Sequence, residues 1–414
     1  MVTDVIIIGG GAAGLCSAVY LKQKAPSLSV RVLESLPRVG KKLALTGNGR
    51  CNISNKRIEL SRYHGENVEF CQYALDKYNI AFTQEFFEKI GVRFAFEGDK
   101  AFPASFQAAS VVDCLRFAAE NLGVIINTET RVTNIQIAGG KYRVVADKVS
   151  FMASNIIIAA GLLSGGDRLG CDGTMLSLLK KAGFNTVKTT PAIVQVKTAT
   201  DVVKQLKGIK INALATLKSG NRKIREEFGE VLFCDYGLSG PPILQVSRAI
   251  MREQNNLKIE LDLMPEISEN EIFDMLRQRA KRLFYLKLDE FFTGLLNKRV
   301  GQVILKSVGC SLSDKVQALE AEKIKKLAFL IKNFSFTVTG TTGFINSQVT
   351  AGGINTLQFD RETMMSKSNK GLYCVGEILD IDGDCGGFNL QWAWSSAFCA
   401  AESVLKEMKY ASDK

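Results

Sequence analysis

The chain has 414 residues, 46% hydrophobic and 23% charged, so it can bury a large core and form two or three domains. Lysine and arginine (53) outnumber aspartate and glutamate (42), which gives a formal net charge of +11. The single histidine, His64, excludes a multi-histidine metal centre and argues against a hydrolytic triad, so we predict no metal site and expect a bound cofactor to supply the chemistry.

The first predicted elements are a strand, a glycine turn, a helix and a second strand within residues 4–34. Val5–Ile8 is a continuous β-branched run, typical of a strand buried on both faces of a parallel sheet. Ala12–Lys24 has a helical apolar period, and Val30–Leu33 is the next strand. The N-terminus resembles no secretory signal, and no apolar run is long enough to span a membrane. We therefore predict a βαβ unit in a soluble cytoplasmic protein.

Three glycines follow the first strand with the spacing of a dinucleotide-binding fingerprint. Gly9 permits the tight turn, Gly11 lets the backbone approach a pyrophosphate, and Gly14 allows close packing of helix on strand. Glu34 ends the second strand, 20 residues after Gly14, where a carboxylate accepts hydrogen bonds from ribose hydroxyls. The whole pattern predicts a dinucleotide site, and the carboxylate argues against a 2′-phosphate there.

A polar, glycine-rich loop, LALTGNGRCNIS, occupies residues 43–54. Gly47 and Gly49 allow backbone amides to approach a ligand, so the loop is predicted to be a second cofactor clamp. Arg50 is interpreted as a phosphate or flavin partner, or as a partner for a substrate carboxylate. Asn52 is expected to supply a fixed polar contact.

Cysteine chemistry is given little weight in this loop. The ten cysteines are scattered without a CxxC pair, so they are expected to be reduced thiols. Cys51 could be redox-active in a flavin-facing loop, but a lone cysteine is more often a small packing residue. The same interpretation is applied to Cys385.

Basic and titratable residues flank the loop on both sides. Lys41 and Lys42 follow a glycine, and one of them is expected to approach the pyrophosphate. Tyr63 and His64 could supply a proton, although a pair on the protein surface is the favoured interpretation.

The predicted secondary-structure pattern changes twice in the central part of the chain. A helix is predicted at 110–122, followed by strands at 124–127, 131–137, 141–146 and 155–161. Residues 192–262 contain short strand-like stretches without alternation of strand and helix, which predicts a β-rich insert. From Ser268 the pattern is helical: Ser268 and Glu271 form a capping box, and Ser313 is predicted to cap a second long helix.

A second glycine-rich entry to a helix lies near the C-terminus. Gly376, Glu377, Gly383, Gly386 and Gly387 precede a helix that starts near Phe388. A helix N-terminus aimed at a flavin would stabilise negative charge on its N1/C2=O edge, which favours FAD over NAD as the resident cofactor.

The neighbours of this entry are interpreted in turn. Asn389, Leu390 and Gln391 are predicted cofactor contacts, whereas the two tryptophans at 392 and 394 are assigned to helix packing. The aspartates at 380, 382 and 384 have metal-like spacing but are assigned to a turn beside the cofactor.

The predicted fold class is α/β, a Rossmann-type FAD-binding domain interrupted by a β-barrel-like insert and a helical insert. The FAD-binding domain is assigned to residues 1–190 and 345–414. The β-rich insert takes 191–265 and 333–344, and the helical insert takes 266–332.

Several stretches follow one family in order: GGGAAG, GKKLALTGNGRCNISN (40–55), AFPASFQAASVVDCL (101–115), GLSGPPIL (237–244), VTAGGI (349–354) and GLYCVGEILDIDGDCGGFNLQWAWSS (371–396). In these motifs the chain resembles the BaiN-like flavoproteins, which include aminoacetone-oxidase-like members. The resemblance runs nearly end to end, and it implies a noncovalent FAD. Together with the fingerprint it implies contacts to the cofactor from Gly9, Gly11, Ala12, Ala13, Gly14, Glu34, Ser35, Lys41, Lys42, Gly47, Gly49, Arg50, Cys51, Asn52, Val132, Ala160, Gly161, Gly376, Glu377, Gly386, Gly387, Phe388, Asn389 and Leu390.

Three functions remain open at this point. The resemblance implies NAD(P)H-dependent reduction of a conjugated C=C bond in a 3-oxo bile acid or steroid, for which a basic insert would suit an anionic side chain. Oxygen-dependent oxidation of an amine or aminoketone is the alternative within the same cofactor class. The third is a flavoprotein that binds or modifies RNA, for which residues 277–332, with 13 basic and 5 acidic residues, are the argument. We identified no basic stretch interleaved with aromatic residues, so a nucleic-acid partner is not favoured. The catalytic residues are unassigned; Arg50, Tyr63 and His64 are weak candidates.

Overall fold

The computed structural model describes residues 2–138, 140–147, 149–199, 201–251, 253 and 256–412. The chain separates into two compact units, Met1–Pro191 with Ser347–Lys414, and Ala192–Asn346. The first is called the nucleotide unit and the second the barrel unit. Each is described by itself below.

Within the described residues the α-helices are α1 (Ala12–Lys24), α2 (Gln72–Lys77), α3 (Ile80–Lys89), α4 (Ala108–Asn121), α5 (Thr174–Lys181), α6 (Asp201–Gln205), α7 (Pro241–Ile250), α8 (Glu269–Arg282), α9 (Lys298–Ser307), α10 (Ala321–Lys332) and α11 (Phe388–Ser412). The strands are β1 (Val2–Ile8), β2 (Val30–Leu33), β3 (Ser54–Asn55), β4 (Tyr63–His64), β5 (Phe94–Glu97), β6 (Lys100–Pro103), β7 (Ile125–Asn127), β8 (Val132–Ala138), β9 (Lys141–Ala146), β10 (Val149–Ile158), β11 (Thr186–Ala192), β12 (Val196–Thr198), β13 (Lys210–Ser219), β14 (Arg222–Cys234), β15 (Gly237–Ser239), β16 (Leu257–Asp262), β17 (Phe334–Thr341), β18 (Val349–Ile354), β19 (Leu372–Cys374) and β20 (Asp382–Gly383).

The nucleotide unit is built on a seven-stranded sheet in the order β7-β2-β1-β10-β9-β8, with β19 also paired to β10. The pairs β7-β2, β2-β1, β1-β10 and β10-β19 are parallel, and β8 and β9 form an antiparallel hairpin on the first half of β10. The side chains of Val5, Ile6, Ile7 and Ile8 are all buried, as expected of a central parallel strand. The predicted βαβ unit is confirmed, and the predicted Rossmann-type α/β fold with it.

Helix α11 is the main support of this unit. It packs along α1, where the rings of Tyr20 and Phe398 meet edge to face at 5.2 Å between centroids. Trp392 and Trp394 are fully buried, which agrees with their assignment to helix packing. A helix that is apolar nearly all round is stable only inside a core, so its burial explains its composition.

The barrel unit contains a closed barrel in the order β12-β15-β14-β13-β16-β17. Its interior includes the rings of Phe334 and Phe336, whose centroids are 4.7 Å apart. Helices α8, α9 and α10 share one hydrophobic core with the barrel strands. The predicted β-barrel-like insert is therefore present, and the division of 191–344 into two separate domains stays a prediction.

The helices of this unit confirm one predicted cap, contradict another and include a helix that was not predicted. Ser268 accepts from the Glu271 amide and completes the predicted capping box of α8. Ser313 is not a cap: its hydroxyl lies 2.8 Å from Ser311 Oγ, and α10 starts only after Glu320. Helix α7, which the β-rich interpretation missed, begins with proline at its first turn, a position where the missing amide costs nothing.

No helix among the described residues is long and apolar enough to cross a membrane.

Candidate active site

The start of α1 forms the cradle that the fingerprint predicts. Gly9 has φ +105°, and a Cβ there would lie 2.6 Å from the Ala159 carbonyl oxygen. A Cβ on Gly14 would lie 1.9 Å from the Gly9 carbonyl oxygen, so helix and strand meet at a distance that only glycine permits. A Cβ on Gly11, the N-cap, would meet no atom within 4 Å. The N-terminus of α1, which begins at Ala12, therefore has open space at its N-cap.

Glu34 ends β2 beside this cradle and is 9% exposed. One carboxylate oxygen accepts from the Gly10 amide at 2.9 Å, and the other accepts from the Leu36 amide at 2.8 Å and from Ser35 Oγ at 3.3 Å. The oxygen bonded to Gly10 accepts only this one hydrogen bond, so the carboxylate is oriented by the backbone and can still accept a hydrogen bond from a ribose hydroxyl.

A charged network connects the two chain segments of the nucleotide unit. The Lys42 ammonium contacts both Ser164 Oγ and the Glu377 carboxylate. Ser164 Oγ donates to Glu377 at 2.6 Å, and the Thr350 amide donates to the same carboxylate oxygen at 2.9 Å. Burial alone would lower the pKa of Lys42, but the Glu377 carboxylate and Cys171 together offset it, so the pKa lies above its ordinary value. Lys42 therefore stays charged at neutral pH and ties Glu377 in place.

The remaining predicted contacts of the N-terminal half lie close to these groups. A Cβ on Gly161 would lie 3.9 Å from Glu377 Oε2, and Ala160 precedes it at the turn beneath Gly9. Val132 is buried at the start of β8, two residues after Thr130, whose amide donates to the Glu34 carbonyl at 2.8 Å.

The loop at 47–52 is held by an aromatic platform that the sequence did not indicate. The Arg50 guanidinium lies 4.5 Å from the Phe102 ring centroid and 4.8 Å from that of Phe106, and it pairs with Glu97 at 2.5 Å. Arg50 is therefore fixed in direction while its side chain stays 41% exposed. Gly49, with φ +81°, has nothing within 4 Å of its Cβ position, so the loop backbone also borders open space.

Cys51 is a packing residue, as the sequence interpretation favoured. It is fully buried, its amide donates to the Thr46 carbonyl, and its φ of +57° makes it a strained position for a side chain. Burial raises the pKa of the thiol to about 12, so no thiolate is present at neutral pH.

The glycine entry to α11 closes against the same loop. Gly387 has φ +98°, and a Cβ there would lie 2.4 Å from the Ser54 carbonyl oxygen and 2.8 Å from Asn52 Oδ1. Asn52 Oδ1 is buried and accepts no hydrogen bond from a described residue. Gly386 has φ +133°, and its carbonyl oxygen accepts a hydrogen bond from the side-chain Nδ2 of Asn55 at 2.9 Å.

Side chains of the first α11 turn mainly contact other groups of the protein. The Asn389 amide group bonds Gly383 through both its oxygen (2.8 Å) and its nitrogen (2.7 Å), which fixes the turn before the helix. Phe388 is buried, and Leu390 is half-buried. The prediction that Gln391 contacts the cofactor is wrong: its side chain is fully buried and bonds Ser54, Tyr78 and other protein groups.

The two tryptophans connect α11 to both predicted clamps. Trp392 Nε1 donates to the Gly376 carbonyl at 3.1 Å, and Trp394 Nε1 donates to the Ile53 carbonyl at 3.0 Å. The Gly376 amide donates in turn to Ser396 Oγ at 2.9 Å. The helix therefore positions the backbone of both glycine-rich segments.

The interpretation of Tyr63 and His64 as a surface pair is wrong. Tyr63 is buried, donates to the Phe388 carbonyl at 3.0 Å, and has a pKa raised well above its ordinary value by burial. His64 is half-buried, with Nε2 2.8 Å from Asp384 Oδ1. Because β4 pairs with β20, both side chains are carried to the start of α11, which the sequence separation of about 320 residues concealed.

The aspartates at 380, 382 and 384 are buried in the turn before α11. Among the described residues no group of three or more potential metal ligands is present. Their assignment to the turn agrees with the positions they take.

These features fit a dinucleotide such as FAD. The open position at Gly11 and the N-terminus of α1 suit a pyrophosphate, and the Glu34 carboxylate, fixed by the Gly10 amide, could accept from ribose hydroxyls. The hydrogen bonding of Asn52 Oδ1 is left incomplete by the protein.

Comparison with known proteins agrees with this geometry. The family model described as the HI0933-like protein Rossmann domain matches residues 3–403. The chain belongs to this family. It is an FAD-dependent oxidoreductase, as the resemblance implied.

Two relatives and one solved structure illustrate the range of the family and fold. The chain is 32% identical over 401 residues to a 3-dehydro-bile acid delta(4,6)-reductase of Clostridium scindens, covering 96% of this chain and 98% of the relative. It is 28% identical over 417 residues to a ribosomal RNA dihydrouridine synthase of Haemophilus influenzae, covering 97% and 98%. A 3-ketosteroid-delta4-(5alpha)-dehydrogenase of Rhodococcus jostii RHA1 shares the fold, with a TM-score of 0.50, 13% identity and coverage of 97% and 96%.

Sequence reasoning missed several groups that shape this site. Phe102 and Phe106 stack on Arg50, and Ser164 and Thr350 hold Glu377. The sequence motif at 101–115 lies in the part of the chain that carries the aromatic pair, but no local pattern indicates that it packs on the 47–52 loop. Only the three-dimensional pairing of β3 with β6 brings them together.

Proposed function

We propose that the protein reduces a C=C bond conjugated to a carbonyl, with a 3-oxo bile acid or steroid as first candidate substrate and NAD(P)H as electron source. The observation that carries the proposal is the pair of glycine-rich entries, to α1 and to α11, in a chain 32% identical over 401 residues to a bile-acid reductase. The relative's substrate is carried over as a hypothesis about this chain.

Bound FAD would supply the acceptance and donation of hydride. Glu34 and the α1 amides would hold its ribose and phosphates, and Lys42 neutralises the charge of Glu377. Backbone amides of the 47–52 loop and of the first α11 turn would hold the flavin end.

Substrate binding requires donors that stabilise the enolate oxygen as the β carbon receives hydride. Arg50 is the candidate in the described structure, because its guanidinium is fixed by two rings and still exposed. It serves either the enone oxygen or a carboxylate on the substrate's side chain. His64, oriented by Asp384, is the candidate group for protonating the adjacent carbon.

A second candidate substrate is a uracil base in RNA, whose C5=C6 bond is conjugated to the C4 carbonyl in the same way. One observation favours it: Phe284 and Tyr285 are 53% and 60% exposed, edge to face at 5.8 Å, at the end of α8. Exposed Lys281, Arg282 and Lys287 flank them. Residues 281–287 are therefore a basic stretch that carries two aromatic side chains, contrary to the sequence-based expectation of none; we call this segment the basic-aromatic patch. Such patches stack bases and attract phosphates.

The deciding experiment is anaerobic reoxidation of enzyme that has been reduced with dithionite. The proposal predicts that a 3-oxo-4,6-diene steroid restores flavin absorbance and gains two mass units. A ribosomal RNA transcript is the parallel arm, with dihydrouridine detected by mass spectrometry. The proposal is overturned if neither acceptor is reduced and an amine substrate with oxygen is the only pair that turns over.

A further inference from the structure

A second cavity lies in the nucleotide unit, with a volume of about 870 Å³. One wall is the segment 37–45 that follows β2, and the other is a face of α4 carrying Val112 and Arg116. Ile126 and Thr128, at the end of β7, also line it. The volume falls in the range of small-molecule sites.

The charges around this cavity are unbalanced. Arg38, Lys41 and Arg168 line it, and none of the three forms an ion pair with another described residue. Arg116 also lines it but is compensated, since it pairs with Glu120 at 3.0 Å and with Asp113 at 3.3 Å. Asp113 and Glu120 line the cavity too, so its four cationic side chains outnumber its two carboxylates by two, and this excess favours an anionic ligand.

Apolar side chains also line the cavity. They include Val39, Ala44, Val112, Ile126 and Leu169. Apolar walls beside arginine side chains suit a flat heteroaromatic ring that carries phosphate groups, because the ring packs on carbon while the guanidinium groups bind phosphate oxygens.

The cavity lies next to the residues predicted to bind FAD and shares Lys41 with them. The fingerprint glycines and Glu34 do not belong to its lining. The Gly40 amide donates to the Gly10 carbonyl at 2.8 Å, so the segment that lines the cavity is bonded to the cradle. A ligand in this cavity would lie beside a cofactor held by Glu34 and the fingerprint glycines.

We propose that this cavity, called the donor cavity below, binds the adenosine-phosphate portion of NAD(P)H. The inference rests on the proposed function, because a reductase needs an external two-electron donor. In balance, NAD(P)H and one proton reduce the C=C bond of the substrate to CH–CH, and NAD(P)+ is released. Arg38 and Arg168 bind phosphate oxygens, and the apolar walls hold the adenine.

The test uses the FAD-loaded enzyme and the variants Arg38→Gln and Arg168→Gln, singly and together. Arg361→Gln is the matched control, since Arg361 is exposed, forms no ion pair with a described residue and lies outside the cavity lining. Stopped-flow bleaching of the flavin by NADH and by NADPH gives a Kd for each nucleotide. Each cavity variant is expected to raise that Kd about tenfold, with FAD content, thermal midpoint and reoxidation of dithionite-reduced enzyme unchanged.

The remaining outcomes separate the alternatives. A rise for NADPH alone places one arginine on the 2′-phosphate, whereas equal rises for both nucleotides place it on the pyrophosphate; both support the proposal. Loss of FAD with an unchanged Kd assigns the cavity to the cofactor and overturns it. An unchanged Kd in the double variant, or no bleaching of the wild-type flavin by either nucleotide, also overturns it. The dithionite experiment tests the proposed function independently of these results.

Discussion

Cys51 illustrates how burial decides the chemistry of a single residue. Its thiol lies in the middle of the loop that we assign to the flavin, yet its pKa is raised to about 12 by burial. A thiol with that pKa is protonated throughout the range in which enzymes are assayed, and the thiolate is the reactive form. Its contribution to the site is therefore the volume it fills.

We predict that iodoacetamide at pH 8 leaves Cys51 unlabelled in the native protein and labels it after denaturation. Peptide mass spectrometry measures both. Cys51→Ala is expected to retain FAD and turnover, because only packing is lost. Rapid native labelling, or loss of turnover in a variant that keeps its FAD, would contradict the packing role.

Glu34, unlike Cys51, is expected to contribute through its charge, which strengthens its hydrogen bonds to the cofactor. Glu34→Gln is expected to weaken FAD binding by at least tenfold, because a hydrogen bond to a charged acceptor contributes about 1.5–3 kcal/mol. Fluorescence quenching of FAD by the apoprotein measures the Kd. The control is Glu129→Gln, an exposed carboxylate on the neighbouring loop, which should leave the Kd unchanged. Equal affinity of the wild type and Glu34→Gln for FAD would contradict the proposed contact between Glu34 and the ribose.

At the scale of elements, the entry to α11 depends on one glycine. Gly387→Ala combines a backbone at φ +98° with a Cβ placed 2.4 Å from the Ser54 carbonyl oxygen. Gly91→Ala, at φ +91° with open space around it, adds strain alone. We therefore expect Gly387→Ala to cost at least about 2 kcal/mol more in unfolding free energy than the control. Urea denaturation compares the two, and equal midpoints would contradict the close approach of these backbones.

Elements with strong local signals could be predicted from the sequence, and those without could not. The Rossmann strand and helix, the Ser268 cap and the α11 entry each have turn chemistry or a periodicity of their own. The start of α10 could not be predicted in this way. Ser313 is a residue type common at helix N-caps, but its hydroxyl bonds Ser311 instead. The pairing that buries Tyr63 joins segments about 320 residues apart, and no local pattern records it.

At the scale of the whole molecule, the excess of positive charge is the feature that separates the two candidate substrates. Residues 277–332 alone contribute +8 of the net +11. Binding to RNA releases counterions and weakens steeply with salt, whereas binding of a steroid with one carboxylate does not. Salt dependence of the two activities therefore reports which substrate uses this charge.

We predict that Phe284→Ser with Tyr285→Ser lowers activity on ribosomal RNA at least about thirtyfold and leaves steroid reduction unchanged, because base stacking on each of the two rings contributes about 1–3 kcal/mol. Phe329→Ser is the control, since Phe329 is 51% exposed and lies on α10, away in sequence from the basic-aromatic patch. Dihydrouridine formation and steroid product are measured side by side. Equal loss of both activities in all variants would show that the two rings stabilise the fold and do not bind RNA.

The interrupted order of the nucleotide unit also has a consequence for synthesis on the ribosome. Its fingerprint emerges before the barrel unit, and α11, which carries Trp394 onto the Ile53 carbonyl, emerges after it. The barrel unit lies between them in the chain and has its own hydrophobic core. A nascent chain therefore presents a complete barrel before it can hold a flavin, and flavin colour should appear only after α11 has emerged.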